Sequence, residues 1–164
     1  MDSGLSLLLR GRGGGIGNAI DFEPVWPRQS GIVIPGDAKA ASVADFNEDG
    51  RPDLLVTVNN GAIEAFEVRP HKENRHLRVR LVCAPGNLDC VGARVTLRFE
   101  DKAVPRQSAE VFAGGGYLSQ SSGVLAFGYG NDRLPRELDI RWPDGKSTTH
   151  MLEKNQLQVT IRQP

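Results

Sequence analysis

Between residues 45 and 53 the chain reads Asp-Phe-Asn-Glu-Asp-Gly-Arg-Pro-Asp, and the run after it, Leu54-Leu55-Val56-Thr57-Val58, is apolar and rich in β-branched residues. Together these two stretches restrict the possible folds more than any other part of the sequence. Oxygen-bearing side chains stand at Asp45, Asn47, Asp49 and Asp53. Calcium is a hard cation that takes several oxygens at adaptable geometry, and one tight turn can aim these four side chains and the Arg51 carbonyl at a common point. Gly50 supplies a residue free to make the sharp bend. An EF-hand would need a bidentate Glu at the twelfth loop position and a helix beyond it, but that position is Val56, inside a strand-like run. Asn59-Asn60-Gly61 then reads as a turn, with Ala62 to Val68 as the returning strand. The loop therefore joins strands. Ordinary turn chemistry accounts for Asp, Asn and Gly in this stretch, but it does not require oxygens at four matched positions.

The rest of the sequence points to an all-β protein. Nineteen glycines and ten prolines separate short β-rich runs, and no stretch sustains a helical apolar period, so helix is expected to be scarce. Twenty basic residues balance twenty acidic ones, which argues against a nucleic-acid partner. Arg75 to Arg80 alternates charged and apolar residues, the pattern of a strand with one solvated face. No apolar run is long enough for a membrane-spanning helix. Leu5 to Leu9 is too short for the core of a signal peptide, so any export signal is expected outside this sequence.

Arg69-Pro70-His71-Lys72-Glu73-Asn74-Arg75 is polar and aperiodic and reads as a linker, dividing the chain into residues 1–70 and 71–164. Ser3 to Leu9 can be laid over Asn60 to Phe66 as a weak internal echo at the spacing of a propeller repeat. In the second half, strands are read at about 76–83, 91–100, 108–113, 123–127, 137–142, 147–152 and 156–162, which suits a small antiparallel sandwich or barrel. Its core candidates are Leu77, Val79, Leu81, Val95, Leu97, Phe99, Val111, Leu125, Phe127, Leu138, Ile140, Trp142, Val159 and Ile161. Cys83 and Cys90 bracket a turn that can bring them within disulfide reach; an exported protein favours the bridge, a cytosolic one two free thiols.

Both halves resemble known families. Gly36 to Thr57, with its Asp-x-Asn-x-Asp-Gly-x-x-Asp loop, resembles the FG-GAP/VCBS repeat of integrin-like β-propellers, in which this loop binds calcium between two strands of a blade. The resemblance implies Asp45, Asn47, Asp49 and Asp53 as side-chain ligands, the Arg51 carbonyl as a further one, and Ca2+ as cofactor. It also implies a partial propeller whose remaining blades lie upstream. The second half resembles the ASPIC/UnbV domain through Asn87 with Val91-Gly92-Ala93-Arg94-Val95, Gly114 to Ser121, Phe127-Gly128-Tyr129-Gly130 and Arg141 to Lys146. Tyr129 departs from the Leu more usual there, a change of little weight if it faces the surface.

Gly92, Gly128 and Gly130 suit positive φ or close backbone approach, and Trp142 suits a core anchor. Asn87, Tyr117, Ser119 and Gln120 instead suit a polar surface for a protein or glycan partner. No convergent catalytic site is visible. His71, His76 and His150 are isolated, and Glu100 and Asp101 are expected on opposite faces of a strand. Gly11 to Gly17 fits no nucleotide-binding glycine pattern in any frame. The expected function is a non-enzymatic, calcium-binding module for protein binding or adhesion, extracellular, periplasmic or on the cell surface. The alternative is a carbohydrate-binding accessory module of a secreted enzyme system.

Overall fold

The structure is a computed structural model that describes residues 6–12 and 21–164. Ser3 to Leu5 of the proposed echo and residues 13–17 of the glycine-rich stretch lie outside the described residues. The first half carries β1 (Leu8–Gly11), β2 (Phe22–Val25), a helical turn α1 (Pro27–Ser30), β3 (Ala38–Ala44), β4 (Asp53–Val58) and β5 (Glu64–Phe66). The second half carries β6 (Asn74–Val82), β7 (Arg94–Phe99), β8 (Gln107–Glu110), β9 (Leu125–Gly130), β10 (Pro135–Arg141), β11 (Ser147–Met151) and β12 (Gln158–Arg162). The protein is all-β, as its glycine and proline punctuation implies.

In the first half β1 pairs with β2, and β3, β4 and β5 form an antiparallel meander. The turn after β4 forms where Asn59-Asn60-Gly61 predicts it: the Gly61 N–H donates to the Val58 carbonyl at 3.1 Å. Among the described residues of this half, Ile34 and Val56 are the buried apolar side chains, while Leu7, Leu8, Leu9, Phe22, Trp26 and Ile63 are exposed. These sheets enclose little core of their own.

The second half holds the apolar core. One sheet has the order β12-β6-β9 and the other β11-β10-β7-β8. Strand alternation sends Leu77, Val79 and Leu81 of β6 to one face, where they join Val95, Leu97 and Phe99 of β7, Leu138 and Ile140 of β10, and Phe127. Register follows the same logic, with Leu138 opposite Leu97 and Ile140 opposite Val95. Trp142 is buried beside them, and its indole N–H donates to Thr148 Oγ1 at 2.8 Å, so the ring fills the core without leaving a polar group unpaired. The opposite face of the four-stranded sheet is polar: Arg98 bonds Asp139, which also accepts from Thr149, and Thr96 bonds Ser108. Those donors hold the Asp139 carboxyl below its usual range, with Arg98 the larger cause.

Several expectations are corrected by this arrangement. The sheets do not close into a barrel, and β12 lies parallel to β6, not antiparallel. The loop after β11 carries the chain from the edge of one sheet to the edge of the other, and β12 arrives running along β6 instead of folding back on its predecessor. Tyr129 is not a surface residue: it is 7% exposed within the core, and burial raises its phenol above the ordinary range. Gly92 has φ +90, but Gly128 has neither a positive φ nor a crowded Cβ direction. Glu100 and Asp101 lie beyond the end of β7, where Asp101 Oδ1 accepts from the Ala103 N–H at 2.8 Å to make a local turn.

Cys83 and Cys90 are joined in a disulfide, with Cα atoms 5.2 Å apart, and both are buried at the rim of the core. The bridge closes the turn that Asn87 holds from inside, its amide donating to the Val91 carbonyl at 3.0 Å while its oxygen accepts from the Val91 N–H at 2.9 Å. Loop-closure entropy for so short a ring corresponds to about 2–3 kcal/mol. Replacing both cysteines with alanine is expected to lower unfolding stability by about that amount in a urea titration, with the fold retained.

Candidate functional site

β3 and β4 are antiparallel, with Ala44 opposite Asp53, so residues 45–52 are the connection between them. Gly50 makes the bend with φ +90. Asn47 Oδ1 accepts from the Asp49 N–H at 3.1 Å and Asp45 Oδ2 accepts from the Gly50 N–H at 3.0 Å, so the loop is built on side chains that cap its own backbone. Asp49 accepts from the Arg51 N–H at 2.9 Å, from Asn47 Nδ2 at 2.9 Å, and from the Arg51 guanidinium. The Arg51 N–H is the main reason its carboxyl sits below the usual range. Arg51 also donates through Nε to the Val68 carbonyl at 2.7 Å.

The first residue of β4 is the buried one. Asp53 is 1% exposed, and its Oδ1 accepts from the Val68 N–H at 2.9 Å, tying the chain just past β5 to the first residue of β4. Its Oδ2 and the Oδ1 of Asp45 are buried with no hydrogen-bond partner. A buried carboxylate oxygen without a donor is costly. The donor set is all hard oxygen, and two of its members carry orphaned oxygens, so in kind the residues fit a hard divalent cation. Asp45, Asn47, Asp53 and the Arg51 carbonyl would hold it, together with Asp49. Among the described residues, however, no three acidic, His or Cys side chains converge at metal-binding distance. Asp49 is turned onto Arg51, accepting from its N–H and its guanidinium.

The sequence reading missed where this loop sits. Arg78 Nη1 lies 3.1 Å from Asp45 Oδ2, and His76 Nε2 meets the Gly50 carbonyl. Both side chains stand on the outer face of β6. Beside them the edge of β3 meets the segment before β9: Ser42 Oγ donates to the Gln120 carbonyl at 2.6 Å, the Val43 N–H to Ser121 Oγ at 3.0 Å, and the Ser122 N–H to the Val43 carbonyl at 2.8 Å. A cleft of about 320 Å³ runs along this seam, lined by Val43, Asp45, Gly50, Arg78, Ser122 and Ala126 among others. Alternation in Arg75 to Arg80 marks the outward face of β6, but no local signal says what that face meets. His76 is therefore not isolated, whereas His71 only accepts from the Glu73 N–H at 3.4 Å within its own turn.

The expected partner surface is divided. Asn87 is committed to the disulfide turn, and Gln120 offers its main chain to Ser42. Ser119 bridges Gly116 across a small loop that leaves Tyr117 73% and Leu118 83% exposed. Among the described residues no helix is long and apolar enough to cross a membrane.

Residues 84–164 match the family described as ASPIC and UnbV. The chain is also similar to cartilage acidic protein 1 of Xenopus tropicalis, 29% identical over 137 residues, which covers 77% of the chain and 21% of that protein. The chain thus spans only that small share of its relative's length.

Asp53→Asn retains the oxygen that accepts from Val68 but removes a buried charge. In the presence of chelator this variant is expected to melt higher than the parent chain, and added calcium is expected to reverse the order. Paired calorimetric scans check both signs.

Proposed function

We propose that this chain is a non-enzymatic, calcium-stabilised module for protein binding or adhesion outside the cytoplasm. In this reading the end of an FG-GAP-type propeller is joined to an ASPIC/UnbV β-domain. The observation that carries the proposal is the pair of buried, unpartnered carboxylate oxygens on Asp45 and Asp53, in a loop whose side-chain oxygens recur at Asp45, Asn47, Asp49 and Asp53. When bound, calcium would neutralise mutual repulsion among the carboxylates and fix the β3–β4 connection, so its first effect is stability rather than chemistry. The sparse core of the first half and its exposed Leu7, Leu8, Leu9 and Ile63 support further blades packing against it. The Cys83–Cys90 disulfide supports an oxidising compartment.

A second reading is supported by Tyr117, an exposed aromatic on a glycine-rich loop, which suits stacking on a sugar ring. It makes the chain a carbohydrate-binding accessory module. A glycan-array signal from the full chain that disappears in Tyr117→Ala favours this reading; a blank array, or a signal unchanged by the substitution, counts against it.

For the first reading, saturating calcium at about 100 times its dissociation constant adds about 2.7 kcal/mol of stability. That amount is expected to raise the melting temperature of a chain this size by about 5–10 °C over the chelator-treated sample. Asp49→Ala is expected to abolish the rise. Identical melts with calcium and with chelator overturn the proposal.

A further inference from the structure

We infer that Arg78 and His76 of β6 form a supporting clamp for the acidic loop, so that a divalent cation held there tightens the seam between the β3–β5 sheet and the sandwich. The inference rests on the cation reading and extends it to a coupling between the two halves of the chain.

The two oxygens of Asp45 have separate roles. Oδ2 takes the Gly50 N–H and Arg78, while Oδ1 is buried and free of donors. The carboxylate can therefore face a cation with one oxygen and keep Arg78 on the other. Charge count agrees with simultaneous occupation. Asp45, Glu48, Asp49 and Asp53 oppose Arg51 and Arg78, leaving an excess of two negative charges, the charge of one divalent cation. Arg78 need not leave for the cation to be balanced.

The clamp has a second point of attachment. His76 meets the carbonyl of Gly50, the residue whose positive φ makes the bend, so β6 grips the loop at its turning point and at its first carboxylate. The seam continues immediately upstream: Val43, which both donates to and accepts from residues 121–122, is two positions before Asp45. Fixing Asp45 on a cation thus restricts the same short stretch of chain that forms the seam. Because binding linkage is reciprocal, anything that holds the seam closed favours the cation, and the cation favours the closed seam by the same factor.

Hydrogen exchange on the full chain, read by mass spectrometry beside calorimetric titration of calcium, tests this coupling. Calcium is expected to slow exchange about fivefold in peptides covering 40–44 and 118–124 as well as in the loop itself. Arg78→Met is expected to leave calcium binding measurable but to remove the added protection at 118–124, with Arg78→Lys restoring part of it. Ser121→Ala, which touches no proposed ligand, is expected to weaken calcium binding severalfold by reciprocity. Calcium protection confined to residues 45–68, or unchanged affinity in Ser121→Ala with unchanged seam protection in Arg78→Met, overturns the clamp while leaving the cation site standing. Absence of any calcium heat or protection in the parent chain overturns the cation reading itself, and the clamp with it.

Discussion

The apolar contact between the two sheets of the second half is the constraint on which the rest of the molecule depends. Leu77, Val79 and Leu81 can be buried only if β6 presents its odd positions to β7 and β10, and that choice turns His76, Arg78 and Arg80 outward. A one-residue slip in β6 would bury three charged or polar groups and expose the aliphatic ones. The outward face of β6 is therefore fixed by core packing, and the acidic loop finds its basic and imidazole partners on a strand that is not free to rotate. Hydrophobic burial in one half thus positions the electrostatics of the other.

The loop contains two kinds of negative charge. Asp49 is partnered from within the loop, by the Arg51 N–H and guanidinium and by Asn47. Asp45 and Asp53 also take partners from outside it, Arg78 beside the Gly50 N–H for Asp45 and the Val68 N–H for Asp53, and each keeps one buried oxygen unused. A surface acidic turn has no need to bury such oxygens, since water would serve them. Their burial sets this turn apart from one in which Asp serves only the local backbone.

Where the pattern is local, the sequence was informative. Alternation gave β6, β7 and β10 and the core side chains they contribute, the Asn59-Asn60-Gly61 turn came from its own chemistry, and the oxygen spacing marked the loop between two strands. Non-local features were not legible. The direction of β12 depends on where a loop sets the chain down, not on its alternating residues. Tyr129 alternates like its neighbours, but whether its face is inner or outer is decided by pairing with β6, where it lies opposite Arg75 near the strand's start. Arg78 carries no mark of Asp45 in its surroundings, because the two are brought together only by docking. His76 looked solitary for the same reason.

The parallel alignment of β12 with β6 also has a mechanical meaning. The chain enters this sheet at Asn74 and leaves it at Arg162, at opposite ends of two strands that point the same way. Tension between those points slides the strands past one another, loading the rungs from Arg78–Gln158 to Val82–Arg162 together. An antiparallel hairpin pulled at its ends would instead open one rung at a time. Tension applied between those points would load the strand that supports the acidic loop in shear.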